Sequence, residues 1–151
     1  MRRPFLLGIV LLLAPLPAPA QTAQTAPLPP VVLTGLKTMA EGRCRVALTT
    51  WTSTWPEEAA AGRERLLAGC DELAKFGGIE GYDVVRVVDV TPNLERIYVV
   101  LRYDIQPVYL VLIAYAPDTK LWKIDAVQWN TNPDDILPSE IVPLQHPAVK
   151  K

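Results

Sequence analysis

Residues 95–116 read ERIYVVLRYDIQPVYLVLIAYA, two apolar runs separated by a Gln-Pro break. In the first run, Ile97, Val99 and Leu101 alternate with a second set of side chains, which is the period-two pattern of a strand. The second run, residues 108–116, is apolar on both faces and is therefore predicted to be a central strand covered on both sides. Strands joined by so short a break pair antiparallel, because parallel neighbours need a long crossover.

Similar runs at residues 82–90 and 121–130 extend this pattern on either side, and turn residues separate them from the central pair. In the first of these runs, strict alternation places positions 84, 86, 88 and 90 on one face and positions 85, 87 and 89 on the other. Four consecutive strands with short connections predict an antiparallel meander. For the last strand, alternation separates Trp122, Ile124 and Ala126 from Leu121, Lys123, Asp125, Val127 and Trp129.

The N-terminal half of the chain has helical periodicity instead. Apolar residues recur at intervals of mostly three and four over residues 36–55, which predicts one helix or two short helices broken at Gly42. A second helix is predicted over residues 56–76, where a proline starts it and the glycines at 77 and 78 end it. Helices followed by an antiparallel sheet define the α+β class, here a helical hairpin packed on four strands.

The first twenty residues have the layout of a secretory signal peptide. Arg2 and Arg3 precede an apolar run at residues 5–14, and small residues at Ala18 and Ala20 suit the signal peptidase. We expect cleavage after Ala20 and export to the periplasm or the extracellular medium. The apolar run is shorter than the roughly 20 residues of a membrane span, so none is expected in the mature protein.

The remaining chain divides by composition into three parts. Residues 21–32 are rich in Ala, Gln, Thr and Pro and are expected to be a disordered leader. Residues 33–137 are expected to form one α+β domain. Residues 138–151 contain repeated prolines and are expected to be an extended tail.

Cys44 and Cys70 are the two cysteines of the chain, and export to an oxidising compartment favours their pairing. The midpoint between them is position 57, at the break between the two predicted helices, so an antiparallel hairpin would place them opposite each other. We therefore predict a structural disulfide. A zinc site is disfavoured because it needs four ligands at short spacings, and the single histidine, His146, lies in the tail.

The formal net charge is −1, and two of the positive charges, Arg2 and Arg3, lie in the predicted signal peptide. Because no basic stripe alternates with aromatic residues, nucleic acid is not an expected partner. The sequence indicates no cofactor and no metal, and it contains no glycine-rich phosphate loop in the strand-to-helix order that such a loop requires.

Two groups of residues carry a likeness to a known superfamily: the Met39-Ala40-Glu41-Gly42 segment leading into residues 46–51, and the strand residues 109–115 followed by 121–124 and 129–131. With this order of elements, the chain resembles the NTF2-like (cystatin-like) superfamily, and in particular its small secreted bacterial members. The resemblance implies a half-open cone in which helices and a curved, concave sheet enclose an apolar pocket. Superfamily members include isomerases, dehydratases and cyclases, and also proteins that bind ligands or assemble, so the fold does not specify the function.

Six aromatic side chains are candidates for lining such a pocket, although core packing is the alternative role for each of them. They are Trp51, Trp55, Tyr103, Tyr115, Trp122 and Trp129. The leading hypothesis is a non-catalytic binding module for a small apolar ligand or a protein partner.

Two other functions remain open. The first is an acid-base enzyme of the isomerase or dehydratase type that uses a strand aspartate and a tyrosine. Tyr103 with Asp125 is one such pair, provided that strand register brings the two together. The second is a homodimer that assembles sheet to sheet. No residue is assigned a catalytic role from the sequence alone.

Overall fold

The structure is a computed structural model, and it describes residues 27–118 and 121–141. The predicted signal peptide, its cleavage site and His146 lie outside the described residues. Within them the α-helices come first and the strands follow, as predicted. The described residues therefore form an α+β fold.

Three α-helices precede the sheet: α1 at Pro30–Ala40, α2 at Cys44–Thr52 and α3 at Ala60–Ala74. The predicted break at Gly42 is confirmed, because this residue has a φ of 76° and lies between α1 and α2. A short 3-10 helix, Glu57–Ala59, precedes α3, so the α-helix begins later than the predicted position 56.

Helix α1 begins at Pro30, three residues before the expected start of the domain. The expectation of a disordered leader is therefore wrong for residues 30–32. Proline suits the first helical turn, because its missing amide hydrogen would have no partner there. Val32 is fully buried in the core, which anchors this turn to the rest of the fold.

The sheet contains four strands in the order β1-β2-β3-β4, and each neighbouring pair is antiparallel. This confirms the predicted meander and places β3 inside the sheet. The strands are β1 at Ile79–Thr91, β2 at Leu94–Tyr103, β3 at Pro107–Tyr115 and β4 at Lys123–Asn130.

The strict alternation predicted for β1 is wrong. The pairing register with β2 shifts between Val84 and Arg86, so Val85 is an extra residue in a β-bulge. As a result Val84 and Val87, which alternation places on opposite faces, both pack against the same core.

A second register shift, between β3 and β4, makes Asp125 an extra residue. Ile124 and Val127 are therefore both buried on the core side of β4, whereas alternation separates them. Ala126 moves to the opposite face. Both corrections have the same cause, since one inserted residue reverses the face of every residue after it.

The helices cover one side of the sheet, which we name the helix face. The side that the helices leave uncovered is named the outer face. The centre of the helix face is closed, because its largest side chains are at most 1% exposed. These include Leu36, Leu48 and Trp51 from the helices and Ile97, Leu101, Leu110 and Leu112 from the strands.

The predicted disulfide is present between Cys44 of α2 and Cys70 of α3, whose Cα atoms are 5.8 Å apart. It joins the two arms of the predicted hairpin. None of the described helices is long and apolar enough to cross a membrane.

After β4 the chain forms a short 3-10 helix, Pro133–Asp135, and continues beside the outer face. The described part of the predicted tail is not extended, because the amide of Ile141 donates to the carbonyl of Pro138 at 2.9 Å, as in a turn.

Candidate functional site

Trp51 is a core residue and lines none of the pockets described below. Its side chain is 1% exposed, and its indole Nε1 donates to the carbonyl of Val31 at 3.0 Å. Gly35 makes this position possible, because a Cβ there would come within 2.0 Å of the indole nitrogen.

Trp129 and Trp122 also pack against the core, both half-buried. The Trp129 ring lies against Gly69 of α3, where a Cβ would come within 2.2 Å of its Cζ2 atom. Neither tryptophan lines a pocket described here.

Trp55 and Tyr115 lie together in a pocket of about 240 Å³, which we name the aromatic pocket. It is formed by the chain that follows α2, the end of β3 and the start of β4. Two of the six predicted aromatic residues are thus brought to one site. The lining residues are Thr54, Trp55, Pro56, Ala59, Tyr115, Lys123, Ile124 and Asp125.

Two hydrogen bonds fix the position of Trp55. Its Nε1 donates to the carbonyl of Ile124 on β4 at 2.6 Å, and its own carbonyl accepts from Nη2 of Arg63 at 3.3 Å. The following residue, Pro56, restricts the backbone further. The indole is therefore held in place before any ligand arrives.

Tyr115 approaches the same pocket from the end of β3, and its side chain is 43% exposed. It pairs across the sheet with Lys123, and the bulge residue Asp125 lines the pocket beside them. The exposed Lys123 and Asp125 give an otherwise apolar site one charge of each sign at its edge. The alternation of side chains along β4 could not predict that Asp125 lines this pocket, because it takes no account of a bulge at this residue.

Tyr103 lines a different pocket of about 270 Å³ beside the disulfide, which we name the disulfide pocket. Buried Met39 and Leu73 form part of its apolar wall. The ring contacts Phe76 edge to face, with 6.3 Å between ring centroids. Burial raises the pKa of the Tyr103 hydroxyl above its usual value of 10.0.

The pair Tyr103 and Asp125 does not form. Tyr103 pairs with Ile79 at one end of the sheet, whereas Asp125 lies beside Ala114 at the other end. The strand register therefore does not bring these two residues together as the predicted acid-base pair requires.

Two other carboxylates, Asp83 in β1 and Asp104 directly after β2, have structural partners. Asp83 accepts from Nη1 of Arg102 across β1 and β2, and this hydrogen bond raises the pKa of the arginine. Asp104 accepts from the amide of Gly78 at 2.6 Å. Both carboxylates hold local structure at the start of the sheet.

The part of the chain that the structure describes contains no group of three or more histidine, cysteine, aspartate or glutamate side chains placed to hold a metal ion. The side chains that line the aromatic pocket offer stacking, apolar contact, hydrogen bonding by tyrosine and threonine, and the charges of lysine and aspartate.

Comparison of the chain with family models, curated proteins and solved structures found no match. The function is therefore argued from the site itself.

Proposed function

We propose that this protein is an exported, non-catalytic binding module of NTF2-like type that holds a small planar apolar ligand in the aromatic pocket. The observation that carries the proposal is the meeting of Trp55 and Tyr115 at one pocket, with the indole already fixed by its hydrogen bond to Ile124. A side chain that is ordered before binding loses little conformational entropy when the ligand arrives.

The size and lining of the pocket support a ligand of one or two rings. A volume of about 240 Å³ lies just below the range of drug-sized ligand sites. Aromatic contacts contribute about 0.5–1.5 kcal/mol each beyond the area they bury. Thr54, Lys123 and Asp125 would select the polar substituent that such a ring carries.

Export is part of the proposal and is supported by two independent features. The first twenty residues have the layout of a signal peptide, and Cys44 is disulfide-bonded to Cys70. Binding of a protein partner is the alternative occupant, since Tyr115 and Leu121 near the pocket are both exposed.

The test uses the mature chain, residues 21–151, titrated with indole and followed by calorimetry and NMR. Indole is expected to bind, whereas cyclohexanol, which is not planar, is expected to bind more weakly. The variant Tyr115→Ala should weaken indole binding about tenfold, equivalent to about 1.4 kcal/mol. Tyr109→Ala, in the same strand but outside the pocket, is the matched control.

Absence of indole binding, or equal weakening in both tyrosine variants, would contradict the proposal. If a protein partner is the true occupant, indole will not bind, and material from the native host will retain a second polypeptide that Tyr115→Ala releases.

Acid-base catalysis is a second candidate, because Asp125 and Tyr115 line the same pocket. The exposed position of Asp125 favours binding over catalysis, since catalytic carboxylates of the isomerase type work in apolar surroundings. Exchange of the α-protons of 2-indanone for deuterium, followed by NMR, separates the two. Acceleration by the wild-type protein that is lost in Asp125→Asn would support the enzyme.

A further inference from the structure

The outer face of the sheet carries a separate pocket of about 300 Å³, which we name the outer pocket. It shares no residue with the aromatic pocket. Its floor consists of two rows of cross-strand neighbours from β2, β3 and β4. These rows are Arg96, Ile113 and Ala126, and then Tyr98, Val111 and Gln128.

The floor of the outer pocket is ordered and partly covered. Tyr98 is only 6% exposed although it lies on the side of the sheet away from the helices. Ile136, from the chain that follows β4, lies beside it and supplies an apolar wall. A buried tyrosine floor with an apolar wall is a preformed concave site and not an open sheet surface.

Two opposite charges line the outer pocket without pairing. Within residues 27–118 and 121–141, the Arg96 guanidinium makes no ion pair or hydrogen bond. The Asp135 carboxylate accepts through Oδ2 from Nδ2 of Asn130 at 2.8 Å, which leaves Oδ1 for another donor.

The positions of these charges allow a small ligand between them. Arg96 is on β2, in register with Ala126 of β4, whereas Asp135 is tied to Asn130, four residues farther along β4. Both charged side chains line the same pocket of about 300 Å³. A pocket of this volume holds a compact molecule that contacts both charges.

We propose that the outer pocket binds the zwitterion of an apolar α-amino acid. Arg96 would hold the carboxylate, Asp135 would hold the ammonium group, and the ligand side chain would lie on Val111, Ile113 and Ile136. An anion alone would meet the Asp135 carboxylate, a cation alone would meet Arg96, and a neutral apolar ligand would pair with neither charge. A zwitterion pairs with both.

The test is calorimetric titration of the mature chain with L-leucine and with two half-ligands. One is 4-methylpentanoate, which lacks the amine, and the other is 3-methylbutylamine, which lacks the carboxylate. All three are aliphatic, so binding in the outer pocket is distinguished from stacking in the aromatic pocket. Leucine is expected to bind about tenfold or more tightly than either half-ligand.

Two variants check the assignment of the charges. Arg96→Met and Asp135→Asn should each weaken leucine binding about tenfold or more, and the new amide in Asp135→Asn can still accept from Asn130. Arg86→Met, an arginine on β1 outside the pocket, is the matched control and should bind leucine like the wild type.

Absence of leucine binding would overturn the proposal, as would a half-ligand that binds as tightly as leucine or an Arg96→Met variant that binds normally. The result for indole does not bear on any of these outcomes, because the two pockets share no residue.

Discussion

Two glycines, Gly62 and Gly69, are both helical residues of α3, but their surroundings are very different. A Cβ on Gly69 would come within 2.2 Å of the Trp129 ring, whereas a Cβ on Gly62 would meet nothing closer than 4.0 Å. Gly69 is therefore required by packing of the helix on the sheet, and Gly62 is not.

We expect Gly69→Ala to lower the free energy of unfolding by about 1–3 kcal/mol, because the Trp129 ring must move. Gly62→Ala should be neutral or stabilising by up to about 1 kcal/mol, since alanine is the better helix former. Urea unfolding followed by tryptophan fluorescence measures both. Equal effects of the two substitutions would mean that the ring does not pack on Gly69.

Glu95 is a second residue whose environment the sequence does not reveal. Its Oε2 atom is buried and has no hydrogen-bond partner among the described residues. Desolvation, and secondly the charge of Asp89, raise the pKa of Glu95 above its usual 4.5. The folded state therefore favours the protonated carboxyl.

The contribution of Glu95 to stability should be fully present below pH 4.5 and should be lost as the pH rises through the raised pKa. Glu95→Gln should therefore stabilise the protein near neutral pH, by about 1 kcal/mol or less, and should give no gain in acid. Thermal unfolding across pH measures this. Glu64→Gln, at an exposed position of α3, is the matched control. A gain that stays constant with pH would argue against this assignment.

At the level of elements, the disulfide joins α2 to α3 across the break that the cysteine spacing predicts. The Cys44→Ser, Cys70→Ser double variant should lower the free energy of unfolding by about 3 kcal/mol, the amount expected from closing a loop of about 25 residues. Denaturant unfolding of the variant, and of the wild type with and without reductant, checks this.

Non-reducing mass spectrometry should find the bond in exported protein. Two free thiols in such material, or reductant that leaves the unfolding curve unchanged, would contradict this expectation.

The sequence predicts where the strands lie, but it does not predict which side chains of a strand face the core. The alternating residues predict where β1 and β4 lie, yet extra residues at Val85 and Asp125 change which side chains reach the core. A bulge exists only relative to the partner strand, so a pattern within one strand cannot reveal it.

At the scale of the whole molecule, the outer face bears on the assembly hypothesis. It carries Arg96 and Arg86, both exposed, and the Asp83–Arg102 ion pair. A sheet-to-sheet dimer would have to desolvate these groups, which is costly unless each finds a partner.

We therefore expect the mature protein to sediment with the mass of one chain. A stable dimer that Arg96→Met strengthens would support the assembly hypothesis and contradict this expectation. Analytical ultracentrifugation over a range of concentrations distinguishes the two outcomes.

The aromatic residues show how far the candidate site follows from the sequence. Trp55 and Tyr115 were candidates and do line one pocket, but Trp51 and Trp129 in the same set are packed against glycines. Trp51 and Trp55 share residue type and a spacing of four, which predicts the same face of one helix. Helix α2 ends at Thr52, so Trp51 is held on the helix in the core whereas Trp55 lies beyond its end.

The sequence by itself predicts the helices, the strands, their order and the disulfide. The helices and strands depend on patterns among neighbouring residues. The disulfide depends on a single reversal of chain direction near position 57. The bulges, the burial of Glu95 and the meeting of Trp55 with Ile124, 69 residues apart, require the three-dimensional structure. They are set by contacts between distant segments, and the proposed binding sites depend on those contacts.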